Sequence, residues 1–433
     1  MRIKSILLLL ASAVTLSGCN LVNRIISMAE QTSSEESSEE QPSEHGSGTP
    51  GAAAKHTILM YVCGSTLEYG PENPYSSRKV VLGAASADIL EMVNAVSASN
   101  DVNVVIETGG SEQWASNPGI SANYLERYHV KNHQLIRDAQ VTKANMGLSS
   151  TLESFLKWGV ETYPAEKYGL VLWNHGGAVS GVCFDDNYSM NGLLTSEVAT
   201  AVKNTIKNTS ATGFEWIGYD ACIMNFLDNA SVNADYFNYM VASQELENGD
   251  GWDYSWLTTL INNPNISTPN LLKDIASKFV AQYGTGTDND QCLSVIDLSK
   301  MANFTTKFNA YAANFKNSDF SNIESIYNGR NSLVFGEDAY GIMDFKDFLD
   351  QAKSKFSYST SEVESAFSGL VVSDANIYGK KYSSKKPCGI NIFIATGYDI
   401  QIAKSEYGTS DTKLSNWRTL NINNGSFYSG YSY

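Results

Sequence analysis

The chain has 433 residues, of which 42% are hydrophobic, so it is long enough to bury a large core. Its formal net charge of −16 at pH 7 excludes nucleic acids and direct adsorption to anionic lipid, because both require a basic surface. The six cysteines are irregularly spaced, with no CxxC pair and no zinc-ligand spacing of cysteine and histidine. We therefore expect no structural metal site and no required cofactor.

The first residues have the pattern of a bacterial export signal. Two basic residues come first, an apolar run covers residues 6–13, and residues 16–19 read Leu-Ser-Gly-Cys. The apolar run is too short to span a bilayer, and small residues ahead of a cysteine are typical of a lipobox. We predict a lipoprotein signal peptide at residues 1–18, a fatty-acylated Cys19, and an extracytoplasmic protein attached to a membrane by its lipid. An ordinary cleaved signal with an incidental Cys19 is the alternative.

The composition changes after the signal. Residues 20–55 are rich in Ser, Glu, Gln and Gly and contain almost no aromatic side chains. Such a segment cannot bury enough apolar surface to offset the entropy of ordering it, so we interpret residues 19–55 as the acylated cysteine and a disordered tether. A folded core is predicted at residues 56–263, and a C-terminal region that packs on this core and completes its sheet is predicted at residues 264–433.

Hydrophobic periodicity predicts that strands and helices alternate in the core. The predicted strands lie at residues 56–62, 102–107, 168–173, 216–219 and 239–243. The predicted helices lie at residues 84–98, 149–162, 195–207 and 223–230. This alternation is typical of an α/β fold with a mostly parallel sheet and helices on both faces. In such a sheet, the loops that leave the carboxyl ends of the strands form the active site.

Two predicted strand ends carry reactive side chains. The sequence WNHGG places His175 after one strand, and YDACIM places Cys222 after another, at the start of predicted helix 223–230. The dipole of such a helix favours a thiolate, and a neighbouring imidazole can accept the thiol proton and later protonate a leaving amine. We therefore predict a His175–Cys222 dyad. The amides of Cys222 and of Gly176 or Gly177 are the candidate oxyanion hole.

Each motif also has a purely structural interpretation. A histidine before two glycines is commonly a turn residue, and a cysteine beside isoleucine and methionine is commonly a small buried hydrophobe. Cys183, in the sequence GVCFD, is a rival nucleophile close to His175. It lacks the strand-to-helix setting of Cys222, so we interpret it as a packing residue. The two motifs together, on successive strands, favour a catalytic site.

The sequence resembles the clostripain family of cysteine peptidases, in the same clan as caspases, gingipains and legumain. The matching segments are WNHGG, YDACIMN, VASQELENGDGWDYSWL, the opening ILMYVCGSTLE, and the distal YGIMDFKDFLDQA and CGINIFIATGYD. The resemblance implies a caspase-like three-layer α/β/α sandwich with a C-terminal α+β extension. It also implies that His175 and Cys222 are the dyad of an endopeptidase that cleaves proteins or peptides through a thioester acyl-enzyme.

Substrate preference follows from the same resemblance. Family members generally cleave after Arg or Lys, and an acid close to the nucleophile supplies the counter-charge. Asp220 stands at the matching place, two residues before Cys222, so the resemblance implies that Asp220 contacts the basic side chain. The alternative is that Asp220 caps the helix that is predicted after Cys222.

An acidic loop follows the last predicted core strand and contains Glu245, Glu247, Asp250 and Asp253. In this clan the loop lines the substrate cleft, which implies that these four acids, among them Glu245 and Asp250, add negative potential and that Trp252 walls the pocket. A solvated loop is one alternative. A weak calcium site is another, since oxygen ligands cluster here, although their spacing fits no EF-hand.

The loop between the two motifs departs from the family pattern. Many relatives cut themselves after a basic residue between the catalytic histidine and cysteine. Here no Lys or Arg occurs between His175 and Lys203, and Lys203 lies in a predicted helix. We therefore expect an active single chain, which we also predict to be a monomer. Two other functions stay open: a surface binding or adhesion module on a peptidase-like scaffold, and a peptidase of this fold with non-basic specificity.

Overall fold

The computed structural model describes residues 53–68, 83–283, 291–336, 340–373, 376–379, 385–396 and 404–427, without the side chains of residues 405 and 406. The predicted signal peptide, Cys19 and nearly all of the predicted tether lie outside the described residues. No helix within these ranges is both long and apolar enough to cross a membrane.

Strands and helices alternate through most of the described chain. The strands are β1 (Ala54–Cys63), β2 (Val102–Gly109), β3 (Tyr124–Lys131), β4 (Gln134–Thr142), β5 (Ala165–Trp173), β6 (Val182–Asp185), β7 (Asn191–Leu193), β8 (Phe214–Asp220), β9 (Phe237–Ala242), β10 (Cys292–Asp297), β11 (Ile342–Asp344), β12 (Ile377–Tyr378) and β13 (Asn391–Phe393). The helices are α1 (Ser65–Glu68), α2 (Ala84–Ala95), α3 (Ser149–Thr162), α4 (Thr195–Asn208), α5 (Leu227–Asn233), α6 (Trp256–Asn262), α7 (Thr268–Gln282), α8 (Met301–Ala312), α9 (Phe320–Tyr327), α10 (Phe345–Lys355), α11 (Ser361–Phe367), α12 (Lys404–Thr409) and α13 (Ser415–Asn424).

A nine-stranded sheet is the centre of the fold, with the strand order β12-β10-β9-β8-β5-β1-β2-β3-β4. The middle strands β9, β8, β5, β1 and β2 run parallel. The strands at both edges pair antiparallel. The five parallel strands are those that hydrophobic periodicity predicts, so this prediction is confirmed. Helices α2, α3 and α4 also lie where they are predicted.

Helices cover both faces of the sheet. Leu59 and Tyr61 of β1 belong to one apolar cluster, together with residues of α3 and α4. Ile58 and Met60 belong to a second cluster, together with residues of α2, α6 and α7. Because successive side chains of a strand point to opposite faces, β1 is buried on both sides and its sequence is a continuous apolar run. The fold is therefore the three-layer α/β/α sandwich that the resemblance implies.

The chain after residue 263 contributes to two different sheets. β10 and β12 extend the main sheet next to β9, whereas β11 and β13 form a separate antiparallel ribbon. Buried hydrogen bonds attach this ribbon to the core. Asn391 donates to the carbonyl of Gln244 at 2.9 Å, and Gln244 donates to Oδ1 of Asn391 at 2.9 Å. Asn225, three residues after Cys222, donates to the carbonyl of Gly389 at 2.9 Å. The distal part of the chain therefore supports the segment after Cys222.

Candidate functional site

The two reactive motifs meet at the carboxyl edge of the sheet. β5 and β8 are parallel neighbours, and Trp173 at the end of β5 pairs with Asp220 at the end of β8. His175 and Cys222 each follow two residues later, and both line one cleft of about 330 Å³. The lining residues are Leu67, Trp173, Asn174, His175, Asp220, Ala221, Cys222, Glu247, Asn248, Gly249 and Gly251.

Hydrogen bonds of Asn174 hold the loop that carries His175. The side-chain amide of Asn174 donates to the carbonyl of Cys63 at 2.6 Å, and its Oδ1 accepts from the amide of Phe184 at 2.8 Å. The backbone amide of Asn174 donates to the carbonyl of Asp220 at 3.2 Å. Because these partners lie on β1, β6 and β8, three strands determine where the loop begins.

Gly176 brings the two motif backbones into contact. A Cβ at this position would lie 2.0 Å from the carbonyl oxygen of Cys222 and 3.0 Å from its amide nitrogen. Any side chain here would therefore push the loops apart, and glycine is required for the close approach. An oxyanion hole needs two amides near one point, and the backbones of Gly176 and Cys222 are close enough to provide them.

His175 is a buried, neutral imidazole. It is 3% exposed, and its Nε2 lies 3.0 Å from Oγ1 of Thr66 on α1. Its Nδ1 is buried and has no hydrogen-bond partner in the described part of the chain. Burial lowers the pKa of His175 to about 4, because a low-dielectric environment disfavours the imidazolium. The ring can therefore accept a proton at neutral pH, and Nδ1 is the nitrogen that stays available for it.

Cys222 lies in the same buried environment. It is 4% exposed, and its Sγ accepts a hydrogen bond from the amide of Glu247 at 3.3 Å. The nucleophilic form of Cys222 is the reduced residue, as the thiolate. An amide that donates to sulfur favours the thiolate over the thiol.

The helix that is predicted at residues 223–230 begins later, which is a correction. Ile223 has a φ of +51°, a left-handed conformation that β-branched residues rarely adopt and that turns the chain directly after Cys222. α5 therefore starts at Leu227, with Phe226 before it. Cys222 is not at a helix N-terminus, so a helix dipole is not what favours its thiolate. Asp220 is not a helix cap either.

Asp220 is a buried acid with two donors. Its Oδ2 accepts hydrogen bonds from the hydroxyl of Tyr254 at 2.7 Å and from the amide of Trp252 at 3.2 Å. Burial raises the pKa of Asp220 from 3.8 to about 7, although these two hydrogen bonds oppose the change. Asp220 therefore gains and loses its proton near neutral pH.

Glu247 is a second buried acid in the cleft. Its carboxyl group lies close to the carboxyl of Asp220 and to the indole of Trp252, and interactions with both neighbours affect its pKa. Burial, and then the charge of Asp220, raise the pKa of Glu247 well above its ordinary value. Two neighbouring carboxyl groups in a low-dielectric site avoid carrying two charges. Burial and their mutual repulsion therefore favour the protonated form of at least one of the two carboxyl groups.

Glu245 and Trp252, which the resemblance implies for substrate contact, are not among the residues that line the cleft. The carboxylate of Glu245 accepts from the amides of Leu246 at 2.8 Å and Gly336 at 3.1 Å, so it ties the loop to the distal part of the chain. The side chain of Trp252 is fully buried against Gly218 of β8. Trp252 donates its backbone amide to Asp220, and its buried indole interacts with Glu247.

Asp250 is also absent from the cleft lining. It is half-buried and lies near Tyr283, whose pKa is raised by burial and then by the charge of Asp250. Glu247, from the same acidic loop, is the side chain that enters the cleft. Side-chain direction in an irregular loop has no simple period, so the sequence pattern alone did not distinguish Glu247 from its neighbours.

Asp88 is an acid near the cleft that sequence reasoning did not select. Its Oδ2 accepts from Nε1 of Trp173 at 2.8 Å. A Cβ on Gly251, which has a φ of +61°, would lie 2.6 Å from Oδ2 of Asp88 and 3.3 Å from both carboxyl oxygens of Asp220. Both acids therefore lie close to the position that a side chain on Gly251 would occupy. Asp88 belongs to α2, far from both motifs in sequence, so no local pattern indicated it.

Two alternatives from the sequence are Cys183 as the nucleophile and a metal site in the acidic loop. Cys183 is fully buried, and burial raises the pKa of its thiol, which disfavours the thiolate that attack requires. The packing interpretation therefore agrees with its surroundings. Among the described residues, no group of three or more His, Cys, Asp or Glu side chains is arranged to hold a metal ion.

Comparisons with known proteins find similar sequences and similar folds. A family model described as the clostripain family matches residues 82–422. The chain is 24% identical over 204 residues to clostripain from Hathewaya histolytica, in a match that covers 40% of this chain and 38% of that protein. The chain therefore matches well under two thirds of the length of this relative.

Two solved structures share the fold. An inactive zymogen C11 protease from Parabacteroides distasonis has a TM-score of 0.59 and 17% identity, over 80% of this chain and 93% of that chain. A secreted C11 cysteine protease from Bacteroides thetaiotaomicron, in complex with an irreversible peptide inhibitor, has a TM-score of 0.60 and 15% identity, over 84% of this chain and 99% of that chain. At these identities the likeness shows the fold alone.

The contact between Thr66 and His175 generates a first prediction. In the reduced protein, Thr66→Val should slow alkylation of Cys222 by iodoacetamide at pH 7 by roughly three- to tenfold, the effect of losing one hydrogen bond of about 1 kcal/mol. The reason is that Nε2 loses the partner that orients the ring. The rate is measured by mass spectrometry of the peptide that contains Cys222. Thr66→Ser keeps the hydroxyl and should react like the wild type. Equal rates for the valine variant and the wild type would contradict the positioning role of Thr66.

Proposed function

Because the chain belongs to the clostripain family, we propose that it is an endopeptidase that cleaves after Arg or Lys through a His175–Cys222 dyad. The family assignment makes the chain a cysteine-type peptidase, a class that acts on proteins or peptides. The observation that carries the finer proposal is a single cleft that contains a buried imidazole, a buried cysteine and two buried carboxyl groups.

The proposed reaction uses both dyad residues and two backbone amides. Nδ1 of His175 takes the proton of reduced Cys222 as the sulfur attacks the carbonyl carbon of the scissile bond. The amides of Gly176 and Cys222 donate to the oxyanion that forms. The C–N bond breaks as His175 returns the proton to the leaving amine, and a thioester remains. Water, deprotonated by the same imidazole, then hydrolyses the thioester and restores the thiol.

The burial of His175 affects the energy of proton transfer from Cys222 to its imidazole. Because burial lowers the pKa of His175 to about 4, the imidazole is neutral before it accepts a proton from Cys222. Transfer of the proton creates charge on both groups inside a low-dielectric cleft. The amide of Glu247, 3.3 Å from Sγ, donates to the sulfur and reduces that cost by stabilising the thiolate.

The preference for basic residues rests on the buried acids. In the described part of the chain, no Lys or Arg forms an ion pair with Asp220 or Glu247. Buried carboxylates are normally paired with a cation, and unpaired charges in an apolar environment are costly. A guanidinium or ammonium group of the substrate supplies the missing partner. An acidic residue before the cut would be repelled at the same place.

The chain is proposed to act uncut and from a membrane surface. Support for the first statement is the absence of Lys and Arg between His175 and Lys203, together with the position of Lys203 inside α4. A peptide bond within a stable helix is poorly available to a protease. Support for the second is the lipobox that ends at Cys19.

The second prediction tests the dyad and the specificity together. Peptides that differ only in the residue before the cut are assayed under reducing conditions, with Arg, Lys, Asn or Asp at that position. We expect cleavage after Arg and Lys, and a loss of kcat of at least about 10³-fold in Cys222→Ala and in His175→Ala, because the two groups act as a unit. The matched control Cys183→Ala should stay active, and the mass of the active wild-type protein should show no cut between His175 and Cys222.

Three other results of that assay would each contradict a part of the proposal. Activity that persists in Cys222→Ala would contradict the dyad. A preference for Asn or Asp would contradict basic specificity while keeping the peptidase. If no peptide were cleaved under reducing conditions, the binding module would become the better interpretation.

The third prediction concerns pH and Asp220. Substrates with Arg and with citrulline, its neutral isostere, are compared as a ratio of kcat/KM, so that the titration of the dyad cancels. The preference for Arg should rise as the pH increases through about 7, because the carboxyl of Asp220 becomes charged there. Asp220→Asn should reduce the preference by roughly 10- to 100-fold at pH 8, the usual effect of one buried hydrogen bond between charged groups. Asp253→Asn, in the same loop but half-exposed, is the matched control. A preference for Arg that does not change with pH would count against this role.

Thermal unfolding gives an independent measurement of the same titration. The pKa of Asp220 is higher in the folded protein than its ordinary value of 3.8. Its contribution to stability is therefore complete below about pH 4 and is lost as the pH rises through about 7. Asp220→Asn should raise Tm more at pH 8 than at pH 5. The same Tm change at both values would show that Asp220 does not titrate in this range.

The fourth prediction concerns the lipid anchor. When the full chain is expressed in a bacterium that processes lipoproteins, the wild type should sediment with membranes, and Cys19→Ala should move to the soluble fraction. The reason is that the variant has no thiol to acylate. Ser33→Ala in the tether is the control and should stay with the membranes. Unchanged membrane association of Cys19→Ala would rule out anchoring through this residue.

A further inference from the structure

A second cleft, of about 380 Å³, shares no lining residue with the first. Four segments form its walls: Val179 from the loop after His175, the start of α4, the region of Phe226 and α5, and residues 407–412. Val179 and Phe226 each lie four residues after a member of the dyad. The loops that carry the dyad therefore continue into this second cleft, which we call the Asp228 cleft.

The lining of the Asp228 cleft is mostly apolar, with one buried acid. Asp228 is 5% exposed. Its Oδ1 accepts from the hydroxyl of Tyr407 at 3.1 Å, whereas its Oδ2 is buried without a hydrogen-bond partner among the described residues. A carboxylate oxygen in this position is costly unless a donor or a cation reaches it. The feature that the fold leaves unsatisfied is therefore one negative oxygen beside apolar walls.

Asp228 is buried, and among the described residues no Lys or Arg forms an ion pair with it. Burial raises its pKa from 3.8 to about 6, while the hydroxyls of Thr412 and Tyr407, and then the charge of Arg418, oppose the change. Arg418 donates to the carbonyl of Ser410, and it forms no ion pair with Asp228 in the described part of the chain. Asp411, which also lines the cleft, is exposed and adds negative charge at the entrance.

These features match one kind of chemical group. An aliphatic stem can pack against Val179, Leu194 and Val232, and a cationic end can donate to Oδ2 of Asp228. Lysine and arginine side chains have this form, with an apolar stem and a charged tip. An acidic group would be repelled, and a purely apolar group would leave the carboxylate unsatisfied.

We propose that the Asp228 cleft is a second recognition site, which takes a basic side chain of the polypeptide substrate other than the residue at the cut. The source of that side chain rests on the peptidase function proposed above, whereas binding of the cation does not. Because the dyad loops form part of the cleft wall, an occupied cleft holds the substrate against the catalytic site at two points. Two-point binding lowers KM without a new contact at the scissile bond.

Direct binding tests the chemistry without requiring catalysis. The probe is Nα-acetyl-lysine methylamide, titrated into Asp220→Asn protein so that the first cleft does not compete, with binding followed by NMR. Affinity should fall by about tenfold or more when Asp228→Asn is added, since about 1.4 kcal/mol corresponds to a factor of ten. Ser196→Trp, which fills the entrance without changing Asp228, should block binding as well. The norleucine analogue, which has no charge, should not bind. Equal binding with and without Asp228→Asn would overturn the proposal.

Cleavage of peptides tests the source of the side chain. Each peptide has one cleavable Arg and a second residue, Lys or norleucine, placed two to six positions away on either side. At one spacing, KM should be about tenfold lower with Lys than with norleucine, the effect of one charge-assisted hydrogen bond. The difference should disappear in Asp228→Asn and in Ser196→Trp, while kcat for the norleucine peptides stays unchanged. If Lys gives no advantage at any spacing, substrate recognition by this cleft is refuted even if the lysine probe binds. A complete lack of cleavage would instead refute the peptidase proposal and leave the binding result to decide the cation site.

Discussion

The parallel pairing of β5 with β8 determines where the parts of the site lie. Trp173 pairs with Asp220 at the ends of these two strands. His175 and Cys222, each two residues further along the chain, therefore lie at one edge of the sheet and in one cleft. A slip of one residue in this pairing would turn the side chains of one strand to the other face. The pairing is held by a core that is apolar on both faces. The stability of the sheet and the geometry of the site therefore have the same origin.

Burial is the common cause of the electrostatics at this edge. It keeps the imidazole of His175 neutral, raises the pKa of Asp220 to about 7, and raises the pKa of the rival thiol Cys183. The same buried environment therefore leaves His175 able to accept a proton, lets Asp220 titrate near neutral pH, and disfavours the thiolate of Cys183. Sites with perturbed pKa values are commonly functional. Here the perturbation comes from desolvation and not from a local ion pair.

The regular parts of the molecule were predictable from the sequence, and the irregular parts were not. The five parallel strands follow from apolar runs, and the meeting of His175 and Cys222 in one cleft follows from the rule that strand ends form the site. The start of α5 could not be predicted, because a left-handed Ile223 contradicts the local preference of a β-branched residue. Glu247 could not be separated from Glu245 and Asp250, since a loop has no period. Asp88 lies near the site because α2 packs there, and no local sequence motif indicates that packing.

The partner of a buried acid distinguishes a structural role from a functional one in this molecule. Glu107 is fully buried, and Arg127 pairs with it at 2.6 Å, so the fold itself neutralises that charge. Asp220, Glu247 and Asp228 are also buried, but no Lys or Arg forms an ion pair with them among the described residues. The chain has 46 acidic and 30 basic residues, so basic side chains are the minority. One of them, Arg127, nevertheless pairs with the buried Glu107. Asp220, Glu247 and Asp228 line the two clefts, where we propose that a basic polypeptide supplies the cation. Other buried acids that have no ion pair in the described part of the chain, such as Asp185 and Asp344, lie outside both cleft linings and accept backbone amides instead.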